Sequence, residues 1–528
     1  MTKDQSRPDV VVILVDDMGF SDIGCYGGEV KTPNINRLAR DGVVFSQAYN
    51  CARCCPTRAS LLTGMYPHQA GVGHMVKDWG VSPAYQGYLR DDTVTIAEAL
   101  KAGGYRTYMS GKWHVGGEYA ANQPATWRPG EPGKPIPVQR GFDRHYGMVG
   151  GGGSYFDPPY MIEDTTIIHE GGDGYYLTDA ISRKAAEFID DAAATDDPFF
   201  LYVAYTAPHW PLHALPEDIE RYRGKYRGGW DATRTARHEE MKGLGIVDRS
   251  WEISPRDPDA PAWADARAKE WEDLRMAVYA AQIDRMDRGI GEILDRLEST
   301  GRAENTIVMF LSDNGGCAEF LAEDSSRPEP FRYNIPTSDG RPMRVGNTPE
   351  IAPGPDDTFA SYDLPWANVS NTPFRLFKHW VHEGGISTPL IVHWPRRGNR
   401  GGIVHEPCHV VDIMPTILDA AGLERPNERD GLPVADLEGE SFLDALTADP
   451  RPRNRPLFWE HEGNRAVRDG AWKLVSKRPG AWELYDMQTD RTELTDLAEH
   501  DKDRVKRMAA QYDDWARRVG VLEYPPRR

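Results

Sequence analysis

The sequence predicts an α/β protein with a large mixed, mostly parallel sheet sandwiched by helices, followed by a smaller C-terminal α+β domain of antiparallel sheet plus helix. Continuous apolar runs recur along the first 425 residues, as expected for strands that are buried on both faces of a sheet. Helical segments separate these runs, which is typical of parallel sheets. Beyond residue 425, short strand-like runs alternate with turns before a final helix. We therefore predict two domains, residues 1–425 and residues 426–528.

The elements of the larger domain follow one another in a regular order. A β-branched apolar run over 10–15 predicts the first strand, and Pro33 begins a short helix that ends at residue 41. Capping-box spacing from Thr95 to Glu98 begins a helix over 95–100, and two glycines close it. Further strands are predicted over 105–109, 199–205, 306–311 and 389–393, and further helices over 178–189, 278–297 and 412–421.

Three long stretches have no clear hydrophobic period, and we predict them to be loops. Residues 116–160 are rich in glycine and proline and are expected to form a pocket wall or lid, residues 214–272 a charged excursion over the surface, and residues 325–370 a further loop. In the C-terminal domain, turns of the Asp-Gly and Pro-Gly type predict a small antiparallel sheet. Its strands are predicted over 457–460, 466–468, 472–475 and 482–485, with a closing helix over 501–519.

Length and charge limit the class of protein. The chain has 528 residues, of which 40% are hydrophobic and 10% aromatic, as in a well-cored globular protein. Acidic residues outnumber basic ones by 81 to 62, which leaves a net charge of −19. This balance argues against nucleic acid or an anionic membrane as a partner. An anionic substrate would therefore need a locally basic pocket.

The N-terminal segment has no apolar stretch before Val10, so we expect no signal peptide. No run approaches the ~18 apolar residues that a membrane span needs. Six cysteines in so long a chain do not form the pattern of a disulfide framework. We predict a cytoplasmic protein that makes no contact with a membrane.

Paired oxygen donors follow two of the predicted strands. Asp16 and Asp17 come directly after the first strand, and Asp313 and Asn314 follow the strand over 306–311. One such carboxylate is equally consistent with a helix cap, but two adjacent acids repel each other unless a cation lies between them. Because strand ends of an open α/β sheet lie where ligands bind, the two pairs together predict one hard-cation site, for Ca²⁺ or Mg²⁺ rather than zinc.

Basic side chains lie beside other predicted strands. Lys112 and His114 are two residues apart after the strand over 105–109, so in an extended chain they point the same way and could bind an anion. A solvated lysine beside a structural histidine is the alternative, and the pair alone does not decide between them. His209 follows the strand over 199–205, and Lys378 lies in a basic stretch ahead of the last strand, where some charges belong to ordinary surface.

The segment 51–64 carries the most specific pattern. Cys54 precedes a short apolar run that begins a helix, and Pro56 fits the first turn of that helix. The positive helix N-terminus and the flanking Arg53 and Arg58 favour an anionic or nucleophilic group at Cys54.

The thiols of this segment have other interpretations. Cys51 and Cys54 form a C-x-x-C pair, which is typical of half a zinc site or of a redox dithiol. A zinc site needs a second pair, whereas the other three cysteines are isolated from one another, and a thioredoxin-like motif belongs to a small domain. For Cys51 and Cys55 we favour buried, inert thiols, and for Cys54 a functional role.

Together these residues comprise one predicted cation site, several basic groups and one nucleophile. This set suits attack on a tetrahedral oxyanion ester, because the cation and the basic groups stabilise charge on its oxygens. The basic groups also supply the local positive field that the net charge lacks. Sulfate and phosphate are both tetrahedral anions, so the residue types alone do not separate them.

The chain resembles the type I sulfatases of the alkaline phosphatase superfamily, and its overall pattern is most similar to bacterial arylsulfatases. The resemblance implies an alkaline phosphatase-like fold and hydrolysis of a small-molecule sulfate ester. The shared motifs occur in the family's order and span nearly the whole chain, including the C-terminal domain. They are Cys54-Cys55-Pro56-Thr57-Arg58 with Leu62-Thr63-Gly64, which matches the C-x-P-x-R signature, Asp16-Asp17, Gly111-Lys112-Trp113-His114, Pro208-His209, Ser312-Asp313-Asn314-Gly315, and Lys378 ahead of His382-Glu383-Gly384-Gly385-Ile386.

The resemblance implies that Cys54 is oxidised after synthesis to formylglycine, which requires a formylglycine-generating enzyme as a partner. The hydrated aldehyde would attack sulfur, and Arg58 would fix and polarise the hydrate. Lys112 and Lys378 would bind the sulfate oxygens. The implied cofactor is Ca²⁺, with Mg²⁺ as the second choice, and its ligands would be Asp16, Asp17, Asp313 and Asn314.

Proton-transfer roles also come from the resemblance. Asp313 would take a proton as one hydrate oxygen attacks sulfur and forms a covalent sulfo-enzyme ester. His209, together with Lys378, would protonate the leaving alcohol. His114 would deprotonate the second hydroxyl, so that sulfate leaves by elimination and the aldehyde is regenerated.

Two alternative functions are weighed against this one. Related formylglycine enzymes cleave phosphonate or phosphate esters, but they tend to carry a histidine after the second metal-binding aspartate and to lack the Lys-x-His pair, so Asn314, Lys112 and His114 favour a sulfatase. A non-catalytic anion-binding or metal-scavenging protein is disfavoured because no key residue is missing.

Cys55 departs from the Ser, Thr or Ala that the family more often has there, and it offers competing disulfide chemistry. Residues 210–272, the glycine loop near residue 150 and the segment 461–464 are candidates for the leaving-group pocket, without indicating an aryl, steroid or sugar group.

Overall fold

The computed structural model describes residues 7–398, 401–447 and 451–526. Its central feature is an 11-stranded mixed sheet, and a separate four-stranded sheet lies in the C-terminal part of the chain. Helices cover both faces of the large sheet. The predicted fold class is therefore confirmed.

The strands are β1 Asp9–Val15, β2 Val43–Tyr49, β3 Arg106–Gly111, β4 Arg144–Met148, β5 Met161–Glu163, β6 Thr166–Ile167, β7 Phe199–Ala204, β8 Thr306–Ser312, β9 Arg344–Val345, β10 Thr358–Phe359, β11 Ser387–His393, β12 Ile403–Val404, β13 Cys408–His409, β14 Glu428–Arg429, β15 Leu432–Pro433, β16 Leu457–His461, β17 Asn464–Asp469, β18 Trp472–Ser476 and β19 Glu483–Asp486. The α-helices are α1 Pro33–Asp41, α2 Cys54–Thr63, α3 Pro67–Ala70, α4 Ile96–Ala102, α5 Leu177–Ala193, α6 Pro216–Glu220, α7 Gly229–Leu244, α8 Lys269–Ser299, α9 Asp363–Ser370, α10 Glu383–Ile386, α11 Ile413–Ala421 and α12 Lys502–Val519.

The order of the strands in the large sheet determines which segments meet at its edge. Strands β8, β1, β7, β3 and β4 lie side by side and run parallel. Strand β11 is antiparallel to β8 on one side and to β2 on the other, so β2 runs in the same direction as the central strands. The carboxyl ends of all these parallel strands therefore meet at one edge, where open α/β sheets bind ligands.

Strand β1 explains why the apolar runs of this sequence are continuous rather than alternating. Its residues 11, 13 and 15 belong to the core beneath α1, α5 and α8. Its residues 10, 12 and 14 belong to the core beneath α2, α4 and α11. Because both faces of the strand are buried, both sets of side chains must be apolar.

All the helices and strands predicted in both domains are present, but the three predicted loops are wrong in part. Strand β4 lies within 116–160, helices α6 and α7 lie within 214–272, and α9 ends the stretch 325–370. Helix α7 lacks an apolar period because its buried face includes charged residues. Arg237, for example, is buried and donates to Asp22 Oδ1 at 2.6 Å and to Glu29 Oε2 at 2.8 Å.

The C-terminal antiparallel sheet, β16 to β19, packs against α12 and against the larger part of the chain. A buried ionic network joins the two parts. Lys473 Nζ lies 2.8 Å from a carboxylate oxygen of both Glu383 and Glu493, and Arg491 Nε donates to Glu383 at 2.9 Å. The predicted antiparallel sheet and closing helix are therefore confirmed, whereas the domain boundary near residue 425 stays a prediction.

Within the described residues, no helix is both long and apolar enough to cross a bilayer. All six cysteines are free thiols. The cytoplasmic location stays a prediction.

Candidate active site

The carboxyl edge of the large sheet brings the predicted site residues together. Each follows a parallel strand or, in one case, precedes the antiparallel strand β11, whose N-terminal end lies at the same edge. The order of the strands therefore places the predicted site residues close together. The residues are Asp16 and Asp17 after β1, Asp313 and Asn314 after β8, Lys112 and His114 after β3, His209 after β7, Lys378 before β11, and Cys54 and Arg58 in the helix that follows β2.

Each of the two aspartates after β1 is paired with its own buried lysine. Lys112 Nζ donates to Asp16 Oδ2 at 2.5 Å, and Lys378 Nζ lies 2.8 Å from Asp17 Oδ1. His209 Nε2 is 3.4 Å from Asp17 Oδ2. Burial opposes ionisation of Asp16, but the charge of Lys112 prevails and lowers the pKa of that carboxyl to about 2. Asp16 is therefore an anion at neutral pH.

Two buried oxygen atoms at this edge, Asp16 Oδ1 and Asn314 Oδ1, have no hydrogen-bond partner among the described residues. The amide nitrogen of Asn314 donates to Asp17 Oδ1 at 2.7 Å, so its oxygen is the unpaired end. Asp17 itself has a φ of 64°, a left-handed conformation that is uncommon outside glycine. Unpaired buried oxygens are costly, and a hard cation satisfies them. The donor set therefore fits the predicted cation.

Arg58 connects helix α2 to the strand ends. It is fully buried, and its Nη2 donates to Asp313 Oδ2 at 2.7 Å while Nη1 donates to the carbonyl of Lys112 at 3.0 Å. Burial and then the charge of Asp16 raise the pKa of Asp313 well above its usual range, although Arg58 acts in the opposite direction. Asp313 is thus a carboxyl with high proton affinity beside an ionised neighbour.

Cys54 is the first residue of α2, and its Sγ lies 3.5 Å from His114 Nδ1. A hydrogen bond with Cys55 and then the charge of Lys112 lower the pKa of Cys54 well below its usual range, against the effect of burial. By contrast, burial raises the pKa of Cys51 to about 12 and that of Cys55 well above the ordinary value. Of the three thiols in this segment, Cys54 alone has an environment that favours its anion.

The glycine run 150–153 packs against the two histidines of the site. A Cβ added to Gly151 would lie 2.7 Å from His114 Nε2, and one added to Gly152 would lie 3.3 Å from His209 Cε1. Burial lowers the pKa of His114 to about 4, so its ring is neutral at neutral pH. The glycines allow the backbone to approach both rings, so this part of the stretch 116–160 lies next to the candidate site.

The structure adds an ion pair that the sequence did not indicate. Arg53 Nη2 lies 2.9 Å from Glu319 Oε1, and Trp210 Nε1 donates to Glu319 Oε2 at 3.0 Å. Arg53 precedes Cys54, and Trp210 follows His209. Glu319 follows the glycines after β8 in the sequence, but the sequence does not indicate that it pairs with Arg53, because only folding brings the two residues together.

Two family models match the chain. Residues 8–423 match the model described as Sulfatase, and residues 374–515 match the one described as N-sulphoglucosamine sulphohydrolase, C-terminal. Both matches include residues of the edge described above. Together they span nearly all of the chain.

Relatives with similar sequences or structures extend over the same length. An uncharacterized sulfatase of Schizosaccharomyces pombe is 31% identical over 557 residues, covering 99% of this chain and 96% of the relative. An arylsulfatase of Klebsiella aerogenes is 33% identical over 479 residues, covering 86% and 95%. The crystal structure of i-CgsB in complex with k-i-k-neocarrahexaose is similar with a TM-score of 0.67 at 25% identity, covering 97% of this chain and 93% of that one.

Proposed function

Because the chain belongs to the sulfatase family and is a sulfuric ester hydrolase, we propose that it cleaves aryl sulfate-type monoesters through a formylglycine hydrate made from Cys54. The proposal includes Ca²⁺ and a covalent sulfo-enzyme intermediate. The observation that carries it is the position of residue 54, at the N-terminus of α2 and 3.5 Å from His114. Its electrostatic neighbours include four buried side chains, Asp16, Arg58, Lys112 and Asp313. By contrast, burial raises the pKa of each of the other five cysteines.

The residues that would hold the cation are Asp16, Asp17, Asp313 and Asn314. Their oxygen donors and the two unpaired buried oxygen atoms support Ca²⁺, with Mg²⁺ as the second choice. When bound, the cation would supply positive charge close to the oxygens that react. The charge of Lys112 lowers the pKa of Asp16, so this carboxylate is ionised and ready to bind the cation, and Lys378 holds Asp17 beside it.

Three buried cationic side chains would recognise the sulfate group. Lys112 and Lys378 would bind sulfate oxygens, and Arg58 would orient and polarise the hydrate at residue 54. All three are held by carboxylates of the site, which fixes their positions before the substrate arrives. They also supply the positive field that an anionic substrate needs on a protein with a net charge of −19.

Three further groups would move protons. Asp313 would accept one from the hydrate, and its raised pKa supports that role. His209, with Lys378, would protonate the leaving alcohol. His114 is neutral at neutral pH and lies beside residue 54, so it would take the second hydroxyl proton and allow sulfate to leave by elimination.

The proposed maturation needs a formylglycine-generating enzyme, which would oxidise Cys54. The C-x-P-x-R spacing begins at Cys54 and not at Cys51 or Cys55, which supports selection of Cys54 for conversion. The two neighbouring thiols would compete for oxidation only in protein that has escaped conversion.

The test compares turnover of a chromogenic aryl sulfate with that of the corresponding aryl phosphonate. We expect faster turnover of the sulfate, loss of activity with a chelator, and recovery with Ca²⁺. Cys54→Ala should abolish turnover, whereas Cys51→Ala, which removes a buried thiol of the same segment, should retain it. A preference for the phosphonate would establish the alternative activity, and full activity of Cys54→Ala would exclude the proposed nucleophile.

A further inference from the structure

Three histidines and a glutamate from separate parts of the chain meet outside the site described above. We call His74, His379, His461 and Glu462 the imidazole cluster. His74 lies in the loop after α3, and His379 follows Lys378. His461 ends strand β16, and Glu462 occupies the tight turn to β17. The cluster therefore joins the C-terminal sheet to two loops of the larger part of the chain.

The carboxylate of Glu462 lies at the centre of this cluster. Its Oε2 is 2.9 Å from His379 Nδ1, and its Oε1 is 2.8 Å from His74 Nε2 and 3.8 Å from His461 Nε2. One ligand atom from each of His379, His461 and Glu462 lies within 4.8 Å of the other two. Ligand atoms of a tetrahedral ion, each about 2.0–2.2 Å from the metal, are about 3.3–3.6 Å apart. The 2.9 Å and 3.8 Å separations of Glu462 from His379 and His461 lie on either side of this value, so small movements of the side chains would accommodate an ion.

His461 gives a second and independent indication of a ligand. The side chain is buried, and neither of its ring nitrogens has a hydrogen-bond partner in the part of the chain that the structure describes. A neutral imidazole has one donor and one acceptor, and buried polar groups are normally satisfied. An ion between His461 and Glu462 would satisfy the ring nitrogen that is nearer to the carboxylate.

The cluster also has a route to solvent. The side chains of Glu462 and His379 are 19% and 26% exposed, whereas His461 is at most 1% exposed. An ion could therefore enter from the exposed side and reach the buried imidazole.

We propose that the imidazole cluster is a second metal site, which binds a divalent transition metal of the zinc type through His379, His461 and Glu462. Imidazole nitrogen with one carboxylate suits Zn²⁺ and similar ions, in contrast to the oxygen donors of the strand-end site. His74 holds Oε1 of Glu462 at 2.8 Å, as outer-shell partners of metal ligands do, and this leaves Oε2 for the ion. A solvent molecule would complete four-coordination.

Bound metal would attach the hairpin between β16 and β17 to the neighbourhood of the active site. The backbone N–H of His379 donates to the carbonyl of Ala52 at 2.8 Å, two residues before Cys54. The preceding residue, Lys378, holds Asp17. The second metal would thus stabilise the positions of both segments.

The experiment uses the full chain, freed of transition metals and kept in saturating Ca²⁺, and titrates it with Co²⁺ as a spectroscopic probe. We expect one equivalent to bind with the visible absorption of tetrahedral cobalt, and Zn²⁺ to displace it. Glu462→Gln and His379→Ala should each abolish this absorption. His169→Ala, which removes an exposed histidine, should not.

Two further variants separate this site from the other groups that could bind cobalt. Cys54→Ser removes the thiol next to His114, and Asp16→Asn alters the strand-end site. The visible absorption of tetrahedral cobalt should be retained in both variants. Zn²⁺ should also raise the melting temperature of the unaltered protein and of His169→Ala, but not of Glu462→Gln. Absence of tetrahedral cobalt from the unaltered protein, or its persistence in both cluster variants, would show that the cluster is only a hydrogen-bonded network.

Discussion

Substitution of Gly151 by alanine tests whether the glycine run positions His114. The added Cβ would lie 2.7 Å from His114 Nε2, whereas ordinary contact begins at 3.4 Å. The ring or the loop must therefore move by roughly 0.7 Å. Because a displacement of about 1 Å in an active site costs up to about 10²-fold in rate, we expect kcat to fall by about 10- to 100-fold.

The kinetic step that slows is specific to the role proposed for His114. If His114 acts only in expulsion of sulfate from residue 54, release of the alcohol in the first turnover should stay fast. The assay is stopped-flow detection of the chromogenic alcohol, in which Gly151→Ala should show a burst followed by a slow steady state. Thermal unfolding of the variant should change little, because the clash falls on one side chain rather than on the core.

The matched control is Gly243→Ala, in helix α7, where an added Cβ meets nothing within 4 Å. This variant should keep both phases of the reaction at their original rates. A Gly151→Ala enzyme that is folded and has an unchanged steady-state rate would refute the positioning argument. Equal slowing of the first turnover would instead refute the assignment of His114 to the second half of the reaction.

Three other predictions concern the cation, the buried network and pH. Asn314→Ala removes an unpaired buried oxygen, so the Ca²⁺ concentration for half-maximal activity should rise by about 10- to 100-fold in a titration after chelation. Lys473→Ala leaves the buried carboxylate of Glu383 with one fewer partner, so the free energy of unfolding measured with denaturant should fall by about 3–5 kcal/mol. An unchanged free energy of unfolding would contradict a stabilising role for the buried ionic network. Burial lowers the pKa of His213 from 6.5 to about 4, so unfolding takes up a proton between these values and stability should fall as pH decreases through that range, by up to about 3 kcal/mol. The pH dependence of unfolding should be smaller in His213→Gln, and an identical pH profile would contradict this assignment.

The strand-end residues could be predicted because the relevant pattern is local. An apolar run that is buried on both faces, followed at once by Asp, Asn, Lys or His, indicates both the strand and the candidate site residue within ten residues. The parallel order of β8, β1, β7 and β3 then brings Asp16, Asp313 and Lys112 together. The helix that begins at Cys54 was visible for the same reason, since proline and the apolar run are neighbours in the sequence.

What could not be predicted depends on contacts between distant residues. Strand β2 was missed because Ser46 and Gln47 interrupt its apolar run, although it is the strand that leads to Cys54. Helix α7 was missed because a buried arginine, Arg237, replaces an apolar residue on its inner face, and its acidic partners lie far away in the sequence. The imidazole cluster likewise assembles three chain segments that no local pattern connects.

Mass spectrometry of the peptide that carries Cys54, from protein purified from its native host, tests the central claim most directly. A protease other than trypsin is needed, because Arg53 and Arg58 would leave too short a fragment. The proposed mechanism predicts formylglycine at position 54, with Cys51 and Cys55 unmodified. Unmodified cysteine at position 54 in protein that turns over the aryl sulfate would contradict the mechanism and would make a metal-assisted thiolate the nucleophile to test next.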